Sequence, residues 1–280
     1  MATLIQSLEN ILSKKDALLS NETKRIVLKE VLQAYTLNFL YNHSTYRRLN
    51  FYGGTCLHLI YDLNRLTEDI DLDNSAEIDI FSLEEDLLTY YRSNIGYPDL
   101  TTKSQQGEWG VHRITLKFPI LNNLGLSPYP NEALHLKVEI SQHKQTAITL
   151  KTPLLTFGQS LVASHFSLET MMAGKMIACL ERNFQKGNAA TRIKGRDFYD
   201  LLWFMQQKIQ PLEEKLEKDG KQPYTLASAM RLLSEKVAAI KTSDLAVDLL
   251  PLFEQRSFIE VWLESFHQNF ERFTSYYLPS

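Results

Sequence analysis

Cysteine and long apolar runs are scarce in this sequence. Its two cysteines, Cys56 and Cys179, have no CxxC spacing and no neighbouring histidine cluster, which argues against a zinc site or a disulfide framework. We predict two buried thiols in a reducing compartment. No run of 18 apolar residues occurs, and the polar residues within 1–19 are unlike a signal peptide. We therefore expect a cytoplasmic protein with no membrane partner.

Charge of one sign is also lacking. The 280 residues include 30 basic and 33 acidic side chains, for a net charge of −3. This balance gives no global attraction to nucleic acid, so a polyanionic partner would need a local basic patch. There is no GxSxG, HExxH or Walker sequence, which leaves serine-hydrolase and P-loop chemistry without support.

The apolar periodicity changes along the chain and predicts two parts. The first part alternates helices with strands, at 3–18, 22–41, 55–65 and 82–93 for helices and 47–52, 69–73, 111–118, 134–141 and 147–151 for strands. The second part has only helices, at 167–183, 196–208, 225–241 and 257–276. Ser82 and Ser257 each precede a Glu by three residues, the spacing of a capping box. Pro153 and Gly158 place the boundary within 152–166, so we predict an α+β domain over 1–157 and a helical domain over 158–280.

An acidic alternation on one predicted strand is the sharpest local signal. In the run 67–73 (TEDIDLD), Asp69, Asp71 and Asp73 share one face of the strand, and neighbouring carboxylates on that face lie about 7 Å apart. Such an arrangement favours a counter-charge, and Mg²⁺ suits hard oxygen ligands of this kind. The alternative is a solvated acidic strand end.

A glycine pair stands between the preceding strand and its helix. Gly53 and Gly54 allow close approach of an anion, the helix N-terminus offers free N–H groups, and Thr55 adds a hydroxyl donor. The alternative is a tight strand-to-helix turn. Together with the acidic strand, the turn predicts a compact nucleoside triphosphate (NTP) site.

Three further residues are candidates by their position. Glu139 alternates with apolar residues on strand 134–141 and is a candidate third metal ligand or base, or else an exposed partner of Lys137. Lys175 lies within the apolar stripe of helix 167–183, where an ammonium group needs an ion pair or a polar cavity unless it snorkels. Asp197 lies beside an apolar stripe and could pair with Lys175, whereas Asp200 is expected to point toward solvent. Both acids also suit a helix N-terminus without further function.

These strings together resemble the AbiEii/AbiGii nucleotidyltransferase toxins, a family that includes MenT-type toxins. The resemblance rests on Gly53 to Leu57, on Arg65 to Asp73, on Lys175 and on Lys194 to Leu201, and it spans about residues 20–240. It implies a polymerase-β-like nucleotidyltransferase core with a mixed sheet, followed by a helical domain that completes the active site. It also implies a cognate antitoxin, a setting in phage defence and, in some members, transfer of a nucleotide to the 3′ end of tRNA.

The resemblance also implies roles for individual residues. Asp69 and Asp71 would hold Mg²⁺, with Glu139 as the third candidate ligand, and Lys175 and Asp197 would be catalytic. Gly53, Gly54, Thr55, Arg65 and Thr67 would bind the NTP.

Two other functions remain open from the sequence. A small-molecule nucleotidyltransferase of the antibiotic-modifying kind would use the same core, and a non-catalytic nucleotide-binding module would keep the site for binding only. A basic rim favours RNA as the acceptor, and its members are Arg47, Arg48, Lys186, Arg192, Lys194 and Arg196.

Overall fold

The computed structural model describes residues 3–107, 110–142, 144–182 and 193–278. The chain divides into two compact units. Unit 1 consists of Met1–Lys144 and Thr149–His165, and unit 2 consists of Gln145–Ile148 and Phe166–Ser280. The division into an α+β domain over 1–157 and a helical domain over 158–280 stays a prediction.

Unit 1 is built on a seven-stranded sheet within its described residues. The strands are β1 (Asn50–Tyr52), β2 (Asp69–Asp73), β3 (Thr101–Gln106), β4 (Val111–Phe118), β5 (Leu134–Ser141), β6 (Thr149–Thr156) and β7 (Gln159–Phe166), in the spatial order β3-β4-β5-β2-β1-β7-β6. The helices are α1 (Leu4–Ser13), α2 (Asn21–Asn42), α3 (Gly53–Tyr61) and α4 (Leu83–Thr89). β2 runs antiparallel to β1 and parallel to β5. The predicted α+β class with a mixed sheet is therefore confirmed.

Alternation gives the central strands one apolar face and one polar face. The apolar face of β2, β4 and β5 is buried and includes Ile70, Leu72, Ile114, Leu116, Leu136, Val138 and Ile140. Helix α2 packs against β5. The side chains that alternate with these residues form the polar face of the sheet, which includes Asp69, Asp71, Lys137, Glu139 and Arg113. The buried face fixes the register, so the positions of the polar residues follow from it.

Residues 152–166, the region in which the boundary was predicted, lie in a hairpin formed by β6 and β7. Phe157 and Gly158 make the two-residue turn, with φ values of 46° and 74°. Two positive φ values are what a type I′ hairpin turn needs. Pro153 lies on β6, an edge strand that tolerates a missing N–H.

Other differences lie at element ends and in a polar strand. β3 (TTKSQQ) was not predicted because its six residues have no apolar alternation. Neither predicted capping box forms, since Ser82 makes no side-chain cap bond and the last helix begins at Arg256, before Ser257. The strand predicted at 47–52 is shorter, because Tyr46–Arg48 form a 3-10 turn before β1.

Unit 2 is helical within its described residues, apart from the end of β7. Its helices are α5 (Leu168–Glu181), α6 (Gly195–Gln206), α7 (Glu213–Lys218), α8 (Leu226–Ala238), α9 (Thr242–Leu249) and α10 (Arg256–Thr274). Helix α6 packs against α5, α9 and α10, so it is surrounded on several sides. None of the helices in the described ranges has the length and apolar character needed to cross a membrane.

Candidate active site

The three aspartates of β2 have different environments. Asp69 and Asp71 are partly exposed, whereas Asp73 is fully buried. Asp73 accepts hydrogen bonds from Asn50 Nδ2 at 3.4 Å and from the Ser75 backbone N–H at 3.1 Å. Asp73 therefore fastens the end of the strand to its neighbours. Asp69 and Asp71 are the carboxylates that remain accessible to a ligand.

Gly53 makes room for the Asp71 carboxylate. Its φ is +78°, in the region that favours glycine, and a Cβ built at this residue would collide with Asp71 Oδ2. β1 is antiparallel to β2, with Tyr52 opposite Asp71, so the chain turns into α3 directly beside that carboxylate. We predicted that Gly53 allows a bound anion to approach, and in the structure the anion beside Gly53 is the Asp71 carboxylate of this chain.

Gly54 makes room for a buried cation. A Cβ at Gly54 would collide with Nη2 of Arg65, whose side chain is only 5% exposed. Arg65 Nη1 donates a hydrogen bond to the Leu66 carbonyl at 3.1 Å. The glycine pair therefore lies against one negative and one positive side chain, which fixes both beside the first turn of α3.

The two predicted phosphate-binding threonines make internal hydrogen bonds. Thr55 Oγ1 donates to the Asp69 carbonyl at 2.5 Å, and Thr67 Oγ1 donates to Gln33 Oε1 at 3.3 Å. Both side chains are buried. A hydroxyl has one proton to donate, so donation to a phosphate requires each to leave its present acceptor.

Glu139 lies next to Asp71 in the sheet but is ion-paired with Arg113. The register places Asp71 opposite Glu139, and Glu139 opposite Arg113. Arg113 Nε lies 2.8 Å from Glu139 Oε1, with the two side chains 38% and 25% exposed. Across the described ranges, no group of three His, Cys, Asp or Glu side chains is placed to hold a metal ion. The structure therefore presents a carboxylate pair on β2, with Glu139 as an ion-paired neighbour.

A second group of charged residues lies in unit 2, between α5 and α6. Lys175 Nζ is 2.8 Å from Asp197 Oδ1 and 2.9 Å from Asp200 Oδ2. Arg182 Nη1 is 2.9 Å from Asp197 Oδ2. The predicted pairing of Lys175 with Asp197 is confirmed, and it explains how an ammonium group is held within an apolar stripe.

The prediction that Asp200 points toward solvent is wrong. Its side chain is fully buried and shares Lys175 with Asp197. The reason is that α6 packs against three helices, so little of it faces solvent. The i, i+3 spacing of the two aspartates, which puts them on one helix face, was the signal that could have found Asp200. Arg182 had no comparable signal in the sequence.

The electrostatics of this group keep Asp197 ionised. Burial alone would raise the pKa of Asp197, but the charges of Lys175, Arg182 and Lys194 hold that pKa well below its usual value. Burial, followed by the nearby charge of Arg196, lowers the pKa of Lys194. Asp197 is therefore a permanent anion at neutral pH and a fixed partner for Lys175.

The predicted basic rim is only partly described. Arg47 and Arg48 are exposed in unit 1, and Lys194 and Arg196 are partly exposed in unit 2. The other two members, Lys186 and Arg192, lie outside the described residues.

Comparisons with known proteins place the chain in a family. Residues 39–279 match the family described as nucleotidyl transferase AbiEii toxin, type IV TA system. No protein of curated function matches the sequence. Among solved structures, the chain is similar to JHP933 from Helicobacter pylori, with 22% identity and a TM-score of 0.49 over 91% of this chain and 95% of that one. It is also similar to an antigenic nucleotidyltransferase-like protein from Paracoccidioides brasiliensis, with 21% identity and a TM-score of 0.43 over 79% and 94%.

Proposed function

The chain belongs to the AbiEii toxin family of nucleotidyltransferases, a family of type IV toxin–antitoxin systems, and we propose that Asp69 and Asp71 form the centre of its transfer reaction. An acceptor hydroxyl attacks the α-phosphorus of an NTP and forms a new P–O bond. The bond from that phosphorus to the bridging oxygen breaks, and pyrophosphate leaves with its electron pair. The hydroxyl proton passes to a base or to solvent.

The observation that carries this proposal is the contact between Gly53 and Asp71. A positive φ at a strand-to-helix turn is a strained conformation for any other residue, and here it allows a carboxylate to lie beside the first turn of α3. A fold that only needed a turn would not need a carboxylate against it. The contact therefore supports a role for the Asp71 side chain beyond packing.

The donor set suits Mg²⁺ bound together with a nucleotide. Mg²⁺ is commonly held by one or two carboxylates plus substrate phosphates, with water completing its octahedron. Asp69 and Asp71 supply two partly exposed carboxylates on one face of β2. When bound, Mg²⁺ would neutralise charge on the reacting phosphates. Glu139 contributes less in this proposal, because Arg113 already balances its charge.

The remaining predicted residues have positioning and binding roles in the proposal. Arg65, fixed against Gly54, places a positive charge beside the first turn of α3, where an anionic nucleotide would be stabilised by that charge and by the free N–H groups. Thr55 connects α3 to β2, and Thr67 connects the loop before β2 to α2. Lys175 and Asp197 keep the catalytic assignment that the family resemblance implies, with Asp200 and Arg182 as the residues that orient them.

The acceptor in this proposal is the 3′ end of tRNA, and the family setting implies a cognate antitoxin as a protein partner. The test uses purified protein, Mg²⁺ and total tRNA, with each NTP labelled in turn at the α-phosphate or at the γ-phosphate. Nucleotidyl transfer puts the α label on tRNA and releases the γ label as pyrophosphate. Label on tRNA from the γ-phosphate, or no label on RNA while a small molecule such as an aminoglycoside is labelled, would contradict it.

A further inference from the structure

The polar face of the sheet continues from β2 onto β5, β4 and β3, and the charge of its side chains changes from negative to positive. The register places Asp69 opposite Lys137, Lys137 opposite Thr115, and Thr115 opposite Lys103. Side chains opposite one another on neighbouring strands lie on the same face of a sheet. This row therefore runs from a carboxylate to two lysines across three strand spacings, about 14 Å at roughly 4.8 Å each.

The neighbouring rows add more positive charge. Arg113 lies opposite Glu139, and Lys117 lies opposite His135. Burial, followed by the charges of Lys117, Lys29 and Lys137, holds the pKa of His135 below its usual value, so each of these cations lies near His135. Lys29, on α2, is ion-paired with Glu68. Among the described residues of β3, β4 and β5, this face has four lysine or arginine side chains and one acid, Glu139.

Arg113 is ion-paired with Glu139, so Lys103, Lys117 and Lys137 supply the excess positive charge of this face, and their mutual repulsion favours an anionic partner. Lys103 is exposed, and Lys117 and Lys137 are partly exposed. β3 has no apolar side chain in its six residues, so this end of the sheet lacks the apolar core of a typical protein–protein interface. A cationic small molecule would be repelled. A phosphate backbone fits both the charge and the polarity of the surface.

We propose that the surface formed by Lys103, Arg113, Lys117 and Lys137, the basic face, binds the phosphate backbone of the nucleic-acid acceptor. The proposal rests on the proposed function, because it assigns the acceptor strand a path across β5, β4 and β3 that ends at the carboxylates of β2. It gives the sheet two roles, transfer chemistry on β2 and acceptor binding on the three strands beside it.

The test compares Lys103→Gln/Lys117→Gln with the matched control Lys14→Gln/Lys241→Gln. The control changes the net charge equally at two exposed lysines outside this face. Binding of unfractionated tRNA is measured at several KCl concentrations, and KM is measured for tRNA and for the NTP. Neither lysine pair is in the proposed catalytic machinery, and equal melting temperatures would confirm that both variants fold.

We expect the basic-face variant to bind tRNA about tenfold more weakly near physiological salt, and the slope of log Kd against log salt to fall by about 1.4, or about 0.7 for each lost phosphate contact. KM for tRNA should rise in parallel, with KM for the NTP unchanged, while the control matches the unmodified protein. Unchanged tRNA affinity and slope would overturn the proposal. So would an unmodified protein that binds no tRNA, or a rise confined to KM for the NTP.

These results separate this inference from the proposed function. If the unmodified protein binds tRNA through the basic face but transfers no nucleotide to it, the proposed function fails and the basic face stands. If it transfers nucleotides to tRNA and the basic-face variant does so with the same KM, the basic face fails and the proposed function stands.

Discussion

Gly53 and Asp71 are in direct contact, so that even a methyl group at residue 53 would collide with the Asp71 carboxylate. Residue 53 also has a φ of +78°, which costs a non-glycine residue about 1–2 kcal/mol. One glycine therefore links the backbone of the strand-to-helix turn to the position of the carboxylate on β2.

The substitution Gly53→Ala should slow transfer strongly, because the Asp71 carboxylate must move to admit the methyl group. We expect the initial rate of nucleotide transfer to fall at least 100-fold, since displacements of about 1 Å cost that much in well-oriented sites. The matched control is Gly96→Ala, which has a similar φ of +75° and open space around its Cβ. Gly96→Ala should lose similar stability and keep its activity. Equal activity in the two variants would disprove the link between Gly53 and Asp71.

Asp71 and Asp73 should respond differently to the same change. Asp71→Asn is expected to keep the fold, while Asp73→Asn should lower the melting temperature, because Asp73 is buried and accepts bonds from Asn50 and Ser75. The loss at Asp73 should be about 1–3 kcal/mol, the usual cost of disturbing a hydrogen bond to a buried charged group. Folded Asp73→Asn should retain transfer within about threefold, which a transfer assay below its melting temperature would check.

Glu139 should matter less than Asp71 for the rate. Arg113 lies 2.8 Å from Glu139 and already balances its charge, so we expect Glu139→Gln to lower the rate by no more than about tenfold. Rates measured over a range of Mg²⁺ concentrations check this. A loss as large as that of Asp71→Asn, rescued by raised Mg²⁺, would instead make Glu139 a third metal ligand.

The charged group in unit 2 should make the free energy of unfolding depend on pH in the acidic range. The pKa of Asp197 is lowered in the folded protein, so its contribution is fully present above the unfolded-state value of about 3.9 and declines as the pH falls below it. In that range the unfolded state binds more protons than the folded state. Stability should therefore fall with falling pH, and less steeply in Asp197→Asn. Urea unfolding measured from about pH 5 down to about pH 2 follows this decline.

Lys175 should be structural as well as functional. Its removal in Lys175→Met leaves Asp197 and Asp200 buried with less positive charge, which costs about 3–5 kcal/mol in comparable buried pairs. The double variant Lys175→Met/Asp200→Leu should recover much of that stability. If Lys175 also acts in the reaction, the double variant stays inactive despite its recovered fold. Recovery of activity along with stability would limit Lys175 to a structural role.

The sequence predicts an element best where its apolar alternation matches the side chains that the fold buries. β2 was predicted with its exact limits, because Ile70 and Leu72 alternate with the aspartates and pack on the buried face. β3 was missed since its polar residues have no such alternation, and the β6–β7 hairpin was missed because its turn begins with Phe157, a residue uncommon at positive φ.

Tertiary packing accounts for what the sequence could not show about the site. The predicted ion pair of Lys175 and Asp197 follows from two apolar stripes, but the burial of Asp200 depends on three helices around α6. Likewise, the glycine pair predicted a close approach without revealing that Asp71 and Arg65 are the groups that approach. The partner of a glycine becomes visible only when distant segments are brought together.

The single-turnover rate of Asp71→Asn shows whether the Asp69 and Asp71 carboxylates form the centre of the transfer reaction. The assay uses the NTP and the acceptor with which the unmodified protein gives a labelled product. The unmodified protein and Asp71→Asn are each mixed in excess over the labelled NTP at saturating Mg²⁺. We expect the rate to fall at least about 1,000-fold, with an unchanged melting temperature, because a carboxylate that holds Mg²⁺ would contribute several kcal/mol of transition-state stabilisation. A rate within about tenfold of that of the unmodified protein would show that Asp71 is not at the centre of the transfer reaction.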